Sequence, residues 1–191
     1  MIRIAGYELN SVVDGPGVRN TVFFQGCSHN CPGCHNPQTH DMSGGTHESI
    51  KNIVERLFST FTMDEKPRIT VSGGDPFCQE RELAQLCCSL KYLRPESDIW
   101  VYTGFLWEDV YSSTVIPYIN VLVDGPFIKE LKSLEVPYRG STNQRLVDCR
   151  GSFGSDRVVL WEPPADPVPD SSVLGWLEKA EEGDIHYGRK N

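Results

Sequence analysis

The chain has 191 residues and a formal net charge of −8 at pH 7. That length suffices for one domain that buries about 70% of its unfolded surface. Because acidic side chains outnumber basic ones, 26 to 18, and Lys and Arg form no cluster, we expect no nucleic-acid partner. Residues 1–7 contain no apolar run typical of a signal peptide or membrane span, so we expect a cytoplasmic protein with no membrane partner.

Four short apolar runs predict buried strands. Each run is followed at once by glycine, by Thr103-Gly104, by aspartate or by the cysteine-rich loop. The predicted strands cover residues 20–25, 68–72, 98–102 and 119–123.

Helices are predicted between these strands because apolar residues recur at the spacing of one helical face. We expect the first to begin after Thr46 as its N-cap, the second to end before Pro95, and a weaker third to run from Trp107 to Val115. The apolar faces of the first two comprise Ile50, Ile53, Val54, Leu57, Phe58 and Phe61, and Leu83, Leu86, Cys87, Leu90 and Leu93.

Strands that alternate with helices predict right-handed βαβ units and a parallel sheet. Four to six strands are too few to close an eight-stranded barrel. We therefore expect an α/β fold, an open partial (βα) barrel of mostly parallel strands over residues 1–161, with 158–161 as its last strand. Residues 162–191 are expected to form a proline-rich linker and a short C-terminal helix.

Residues suited to chemistry follow the predicted strands directly. They are Cys27, Gly73–Asp75, Thr103 and Asp124. Because α/β folds place their active sites at the carboxyl ends of parallel strands, we expect these residues to lie together there.

Cys27, Cys31 and Cys34 are spaced C-x3-C-x2-C in one loop, and no nearby fourth cysteine completes the set. Cysteine thiolates hold 4Fe–4S clusters, one for each iron. Three thiolates therefore leave one iron open to an exogenous ligand. This spacing is typical of radical S-adenosylmethionine (SAM) enzymes, in which the amino and carboxylate groups of SAM bind that iron.

Two other uses of these cysteines remain open. Zinc could take three cysteines with His29, His35 or His40 as the fourth ligand, although zinc sites usually pair their ligands as C-x2-C. Disulfides are disfavoured by the odd total of seven cysteines.

The run Ser72-Gly73-Gly74-Asp75-Pro76 is the second motif. Paired glycines let the backbone approach a ligand closely and expose carbonyl groups to an ammonium group, and Asp75 adds a carboxylate for the same cation. These residue types are also those of an ordinary turn. Next to the cysteine loop, we favour binding of the SAM ammonium group.

Several stretches in order along residues 1–161 resemble the radical SAM activases of glycyl radical enzymes. The opening resembles the activases of both pyruvate formate-lyase and anaerobic ribonucleotide reductase, and the others resemble the anaerobic ribonucleoside-triphosphate reductase activating proteins in particular. The stretches are Val13–Arg19, Phe23–Cys27, Cys31–Asn36, Ser72–Pro76, Ile99–Phe105, Asn120–Gly125 and Arg139–Arg145.

The resemblance implies a mechanism. A reduced 4Fe–4S cluster gives one electron to SAM, and the resulting 5′-deoxyadenosyl radical removes a hydrogen atom from a backbone glycine of anaerobic ribonucleoside-triphosphate reductase. A low-potential donor such as flavodoxin is the implied electron source, and the fold is the partial barrel of radical SAM enzymes. No side-chain general base is expected, because the cofactor carries the chemistry.

Carried over by position, Cys27, Cys31 and Cys34 are the cluster ligands. The backbone of Gly33, Cys34 and His35 is expected against the adenosine of SAM, where His35 stacks on adenine or is an ordinary loop histidine. Gly73, Gly74 and Asp75 are expected at the methionine end, and Thr103 and Asp124 either bind SAM or a nearby cation or cap turns. Gly33 departs from many radical SAM proteins, which have an aromatic residue there.

Other interpretations stay open at this point. A pyruvate formate-lyase-type activase, a deazaguanine-forming radical SAM synthase and a non-catalytic Fe–S or zinc binding module are the alternatives. The run Arg139–Arg145 either shapes a partner groove or is a structural loop. Cys87 is expected to be a small buried hydrophobe, and no role is expected for Cys78, Cys88 or Cys149.

Overall fold

The computed structural model describes residues 1–163, in which seven strands form one mixed sheet. The strands are β1 (Ile2–Ser11), β2 (Arg19–Phe24), β3 (Thr46–Glu48), β4 (Arg68–Gly73), β5 (Asp98–Tyr102), β6 (Val121–Asp124) and β7 (Arg145–Asp148). The helices are α1 (Ile50–Phe58), α2 (Glu80–Leu93), α3 (Trp107–Val110) and α4 (Cys149–Ser152). Within residues 1–163, no helix has the length and apolar character needed to cross a membrane.

The sheet has a parallel centre and antiparallel edges. Its order is β3-β1-β2-β4-β5-β6-β7, and β2, β4, β5 and β6 are parallel to one another. The pairings β1–β3, β1–β2 and β6–β7 are antiparallel. All four parallel strands therefore end at the same edge.

Helices α1 and α2 cover one face of the sheet. Ile53 and Leu57 of α1, and Leu83 and Leu90 of α2, are fully buried against the strands. The other face carries a smaller aromatic cluster, in which the rings of Trp100 and Trp161 meet edge to face at 4.9 Å. Alternation along β5 explains this division, because Ile99 and Trp100 point to opposite faces.

The expectation of an open partial (βα) barrel was wrong. The structure is a seven-stranded mixed sheet with four helices in the described residues, and two of those helices have only four residues. The prediction counted only segments with the strong apolar runs of buried parallel strands. It therefore missed β1, β3 and β7, which pair antiparallel and follow no such pattern.

Several element boundaries also differ from prediction. Ser49, not Thr46, caps α1, and its hydroxyl accepts a hydrogen bond from the backbone N–H of Asn52 at 3.1 Å. The helix expected to reach Val115 ends at Val110. Leu160 forms only an isolated bridge with Val147, so residues 158–161 are not a full strand. The linker and C-terminal helix expected over 162–191 lie outside the described residues beyond 163.

Arg19 fastens the segment between β1 and β2 to the sheet. Its side chain is fully buried, and its Nε donates to Thr70 Oγ1 at 2.8 Å. Thr70 in turn donates to the backbone carbonyl of Asp14 at 2.8 Å. Asp14 is thereby held beside the carboxyl edge of the parallel strands.

Candidate functional site

A cavity of about 230 Å³ lies at the carboxyl edge of the four parallel strands. The predicted site residues that line it are Cys27, Cys31, Cys34, His35, Gly73, Gly74, Asp75 and Thr103. The structure thus brings these residues together at the predicted edge. Gly33 is the exception, since it is not among the lining residues, and a Cβ on it would come 3.3 Å from Cδ of Lys129.

The cysteine loop is anchored at both ends by backbone hydrogen bonds. The N–H of Gly26 donates to Thr39 at 2.7 Å, and that of Cys27 donates to His40 at 3.3 Å. Between them, the N–H of Cys34 closes a turn on the carbonyl of Cys31 at 3.1 Å. These bonds hold all three half-buried thiols on the side of the loop that faces the cavity.

The glycine turn packs directly on the start of this loop. The N–H of Gly74 donates to Phe24, and that of Asp75 donates to Gly26, each at 2.8 Å. A Cβ on Gly74 would overlap the carbonyl group of Gly26, so only glycine fits there. The sequence predicted a close approach at this glycine, and the approach that the structure shows is to the base of the cysteine loop.

Asp75 is a buried carboxylate with protein donors around it. It is 1% exposed. Oδ1 accepts from the N–H of Phe77 at 2.9 Å, and Oδ2 accepts from that of Gly104 at 2.9 Å. The Thr103 hydroxyl lies 2.9 and 3.0 Å from the two oxygens, and His29 Nε2 lies 2.7 Å from Oδ2. The hydrogen bond to Asp75 raises the pKa of His29, against the opposing effect of burial.

One wall of the cavity is aromatic. The ring of His35 lies 5.1 Å from that of Phe127, centroid to centroid, at an interplanar angle of 47°. Phe127 follows β6 and packs against Gly140, where a Cβ would come 3.1 Å from its ring. This pair presents aromatic rings of the kind on which a nucleobase stacks.

The donor set fits a 4Fe–4S cluster. Three thiols from one loop line a single cavity, and thiolates are the usual ligands of such clusters. Burial raises the pKa of the Cys27 thiol, a cost that bound iron offsets by stabilising the thiolate. Among residues 1–163, no three His, Cys, Asp or Glu side chains converge closely enough to hold a single metal ion.

Comparison with known proteins supports the cluster and gives the family. Residues 13–147 match the sequence model of the family described as a 4Fe-4S single cluster domain. Proteins named anaerobic ribonucleoside-triphosphate reductase-activating protein match over 139 residues. The one from Enterobacteria phage T4 is 36% identical, over 70% of this chain and 86% of its own length. Those from Vibrio cholerae and Escherichia coli K12 are 37% and 35% identical, over 70% of this chain and 89% and 90% of their own lengths.

The chain belongs to the family of anaerobic ribonucleoside-triphosphate reductase-activating proteins. The resemblance inferred from its motifs is thereby confirmed. The matched residues 13–147 include all three loop cysteines, the glycine turn and the four parallel strands. An iron–sulfur cluster is accordingly the cofactor that the family supports.

Asp124, the last residue of β6, does not line the cavity. Its carboxylate is fully buried, accepts from the N–H of Trp107 at 2.7 Å and pairs with Arg145. Arg145 also pairs with Glu108 at 2.7 Å. Within the run Arg139–Arg145, Gln144 donates to the Gly125 carbonyl at 3.0 Å. The run therefore supports the loop after β6.

The sequence reasoning gave several lining residues no place in the cavity, and it named Tyr102 and Gln144 only within longer stretches that resemble the family. Phe127, Tyr102 and Gln144 line the cavity, yet none stands in a cysteine or glycine motif. Phe127 was within reach of prediction, because it comes three residues after the carboxyl end of β6. Gln144 was not, because it comes just before the antiparallel strand β7.

The other cysteines lie apart from the site or at its margin. Cys87 is fully buried in the core, as expected, and Cys149 is also buried. Cys88 is half-buried on α2. Cys78 is half-buried beside the cysteine loop, with its Sγ 3.6 Å from Ser28 Oγ.

Proposed function

We propose that this protein cleaves SAM reductively and generates a glycyl radical on anaerobic ribonucleoside-triphosphate reductase. One observation carries the proposal: three thiols spaced C-x3-C-x2-C line the same cavity as the glycine turn and an aromatic wall. A cluster held by three thiolates keeps one iron for a ligand, and the cavity supplies the remaining surfaces for that ligand. The names of the relatives support the reductase as the target.

The proposed cluster ligands are Cys27, Cys31 and Cys34. When bound, a reduced cluster supplies one electron to the sulfonium of SAM, whose bond to the 5′ carbon breaks to give methionine and the 5′-deoxyadenosyl radical. The chain itself orients SAM and excludes water, so that this radical meets the glycine hydrogen atom of the partner before any solvent molecule.

The proposed SAM contacts follow from the two sides of the cavity. Adenosine lies along the backbone from Gly33 to His35 and against the His35–Phe127 rings. The methionine end lies against the backbone of Gly73 and Gly74, with Asp75 and Thr103 beside it. Gly74 lines the cavity and its carbonyl accepts no hydrogen bond from residues 1–163, so we assign this carbonyl to the ammonium group.

The same chemistry requires an electron donor and a reducing compartment. A low-potential donor such as flavodoxin supplies the electron. A reducing compartment, the cytoplasm, suits seven free cysteines and an oxygen-sensitive cluster.

SAM cleavage by the isolated protein tests the proposal. The protein is reconstituted with iron and sulfide without oxygen, reduced with dithionite and incubated with SAM, and 5′-deoxyadenosine and methionine are quantified by chromatography. We expect both products in equal amounts, none from Cys31→Ser, and wild-type amounts from Cys88→Ser, whose thiol lies outside the cavity. A colourless zinc protein, or full turnover by Cys31→Ser, would contradict the proposal.

A further inference from the structure

We propose that the Asp75 carboxylate is a positioning group, which fastens the cysteine loop to the ends of β4 and β5 through His29 and does not itself bind the ligand. The identity of that ligand rests on the proposed function. The fastening itself is a property of the folded chain, with or without cofactor.

The Asp75 carboxylate has no free acceptor site for another donor. A carboxylate has about four acceptor sites. Those of Asp75 receive the Phe77 and Gly104 N–H groups, the Thr103 hydroxyl and His29 Nε2, at 2.7 to 3.0 Å. With the side chain 1% exposed, an incoming ammonium group would have to displace one of these donors.

The His29 ring packs closely against the residues that follow β5. Its ring meets that of Phe105 edge to face at 4.5 Å and an angle of 70°. It also covers Gly104 so closely that a Cβ there would come 2.6 Å from the ring. Its side chain is only 19% exposed, although residue 29 stands in the middle of a surface loop. The ring therefore packs against the residues at the end of β5, and its hydrogen bond to Asp75 fixes its orientation.

The position of His29 in the sequence links its ring to the cluster ligands. It stands between Cys27 and Cys31, so a fixed ring at 29 fixes the backbone that carries the first two thiols. The backbone bonds of Gly26 and Cys27 to Thr39 and His40 hold only the two ends of the loop. Among the hydrogen bonds of residues 1–163, loss of the His29–Asp75 bond would leave the segment around Cys31 only its backbone turn to Cys34. Groups that orient ligands in this way commonly decide how well a metal site assembles.

Asp75 and Gly74 therefore have different roles in the glycine turn. The Asp75 side chain binds protein groups, whereas Gly74 lines the cavity with a backbone carbonyl that accepts no hydrogen bond from residues 1–163. The ammonium group of SAM then binds to backbone, and the aspartate sets where that backbone lies.

Thiol alkylation in the cluster-free protein tests the positioning role directly. The reduced protein is treated with iodoacetamide, and the rate at each cysteine is followed by mass spectrometry. We expect His29→Ala and Asp75→Asn each to speed alkylation of Cys31 at least fivefold, and the double variant to be no faster than the faster single one. His29→Gln, which keeps a donor, should recover part of the protection. His47→Ala, on the exposed edge strand β3, should match wild type.

SAM binding to the reconstituted protein separates positioning from direct ligation. If Asp75 is a positioning residue, His29→Ala and Asp75→Asn lower the fraction of molecules that hold a cluster, while those that hold one bind SAM within about threefold of wild type. Unchanged Cys31 alkylation in His29→Ala would overturn the proposal, even if Asp75→Asn failed to fold. So would normal cluster content in Asp75→Asn with SAM affinity lost. The alkylation readout needs neither cluster nor SAM, so failure of the proposed function would leave it intact and separately measurable.

Discussion

Arg19 Nη1 lies 2.7 Å from Oδ2 of Asp98, and this ion pair joins the start of β2 to the start of β5 across the intervening strand β4. Arg19 is fully buried and stacks over the ring of Trp100 at 5.1 Å. Burial lowers the pKa of Arg19, and Asp98 opposes this effect by stabilising the charged form. The charge is therefore tolerated in the interior because a partner and several acceptors surround it.

Removing the partner should be costly. Asp98→Ala leaves the Arg19 guanidinium buried without its carboxylate, and we expect a loss of about 3 kcal/mol in the free energy of unfolding in urea. The matched control is the exposed pair of Lys51 and Glu55, whose side chains are 80% and 65% exposed. Glu55→Ala should cost at most about 0.5 kcal/mol. Equal losses in the two variants would show that the buried pair has no special role.

Gly74→Ala should disturb the cysteine loop itself. The new Cβ would overlap the Gly26 carbonyl, so the backbone at the base of the loop must move. We expect a loss of at least about 2 kcal/mol in urea unfolding and reduced iron content after reconstitution. Gly6→Ala is the control, because nothing lies within 4 Å of its added Cβ. Normal iron content in Gly74→Ala would show that this packing does not position the thiols.

Phe127→Ala should weaken SAM binding without affecting cluster assembly. Stacking of a base on an aromatic ring contributes about 1–3 kcal/mol, so we expect the Kd for SAM to rise at least fivefold. Iron content should stay at the wild-type level, because Phe127 packs against His35 and Gly140 and is not one of the proposed cluster ligands. Phe153→Ala, at an exposed position outside the cavity, should bind SAM normally. An unchanged Kd in Phe127→Ala would place the adenine elsewhere.

Alkaline pH should destabilise the fold through Cys87. Burial raises the pKa of its thiol from the ordinary value of 9.0 to about 12. Between pH 9 and pH 12 the unfolded chain releases a thiol proton that the folded chain keeps. The contribution of Cys87 to the free energy of unfolding is therefore complete below pH 9 and is lost as pH rises towards 12. For this thiol the loss is up to about 1.4 kcal/mol per pH unit.

The comparison of variants isolates that contribution. Cys87→Ala should show a shallower fall in the free energy of unfolding between pH 9 and 10.5 than wild type, although it is less stable at pH 7 because it leaves a small cavity. Cys88→Ala, one residue along and half-buried, should fall as steeply as wild type. Parallel curves for Cys87→Ala and wild type would refute the assignment.

The sequence allowed the centre of the sheet to be predicted better than its edges. Residues 68–72 and 98–102 form strands as expected because their apolar runs are buried on both faces, and such runs carry their own signal. Strand β1 buries Ile2 and Ile4, but its second half is polar and broken by register shifts. Strands β3 and β7 have three and four residues, so neighbouring strands and not their own composition stabilise them.

The candidate site divides in the same way. Its cysteine and glycine motifs were recognisable because each follows a parallel strand. The contacts that organise them were not, because they join distant residues: His29 and Asp75 are 46 positions apart, and His35 meets Phe127 from another loop. No local pattern specifies such pairs before the sheet brings the strand ends together.

The central claim is tested most directly by EPR of a mixture of the reduced, reconstituted protein, SAM and the glycyl radical subunit of anaerobic ribonucleoside-triphosphate reductase. We predict a glycyl radical doublet that requires SAM, is absent with Cys27→Ala, Cys31→Ala or Cys34→Ala, and forms normally with Cys88→Ala. A reductase that stays free of radical while the same protein preparation cleaves SAM to methionine and 5′-deoxyadenosine would contradict the proposed target. A doublet of full size with any of the three loop variants would contradict the proposed cluster site.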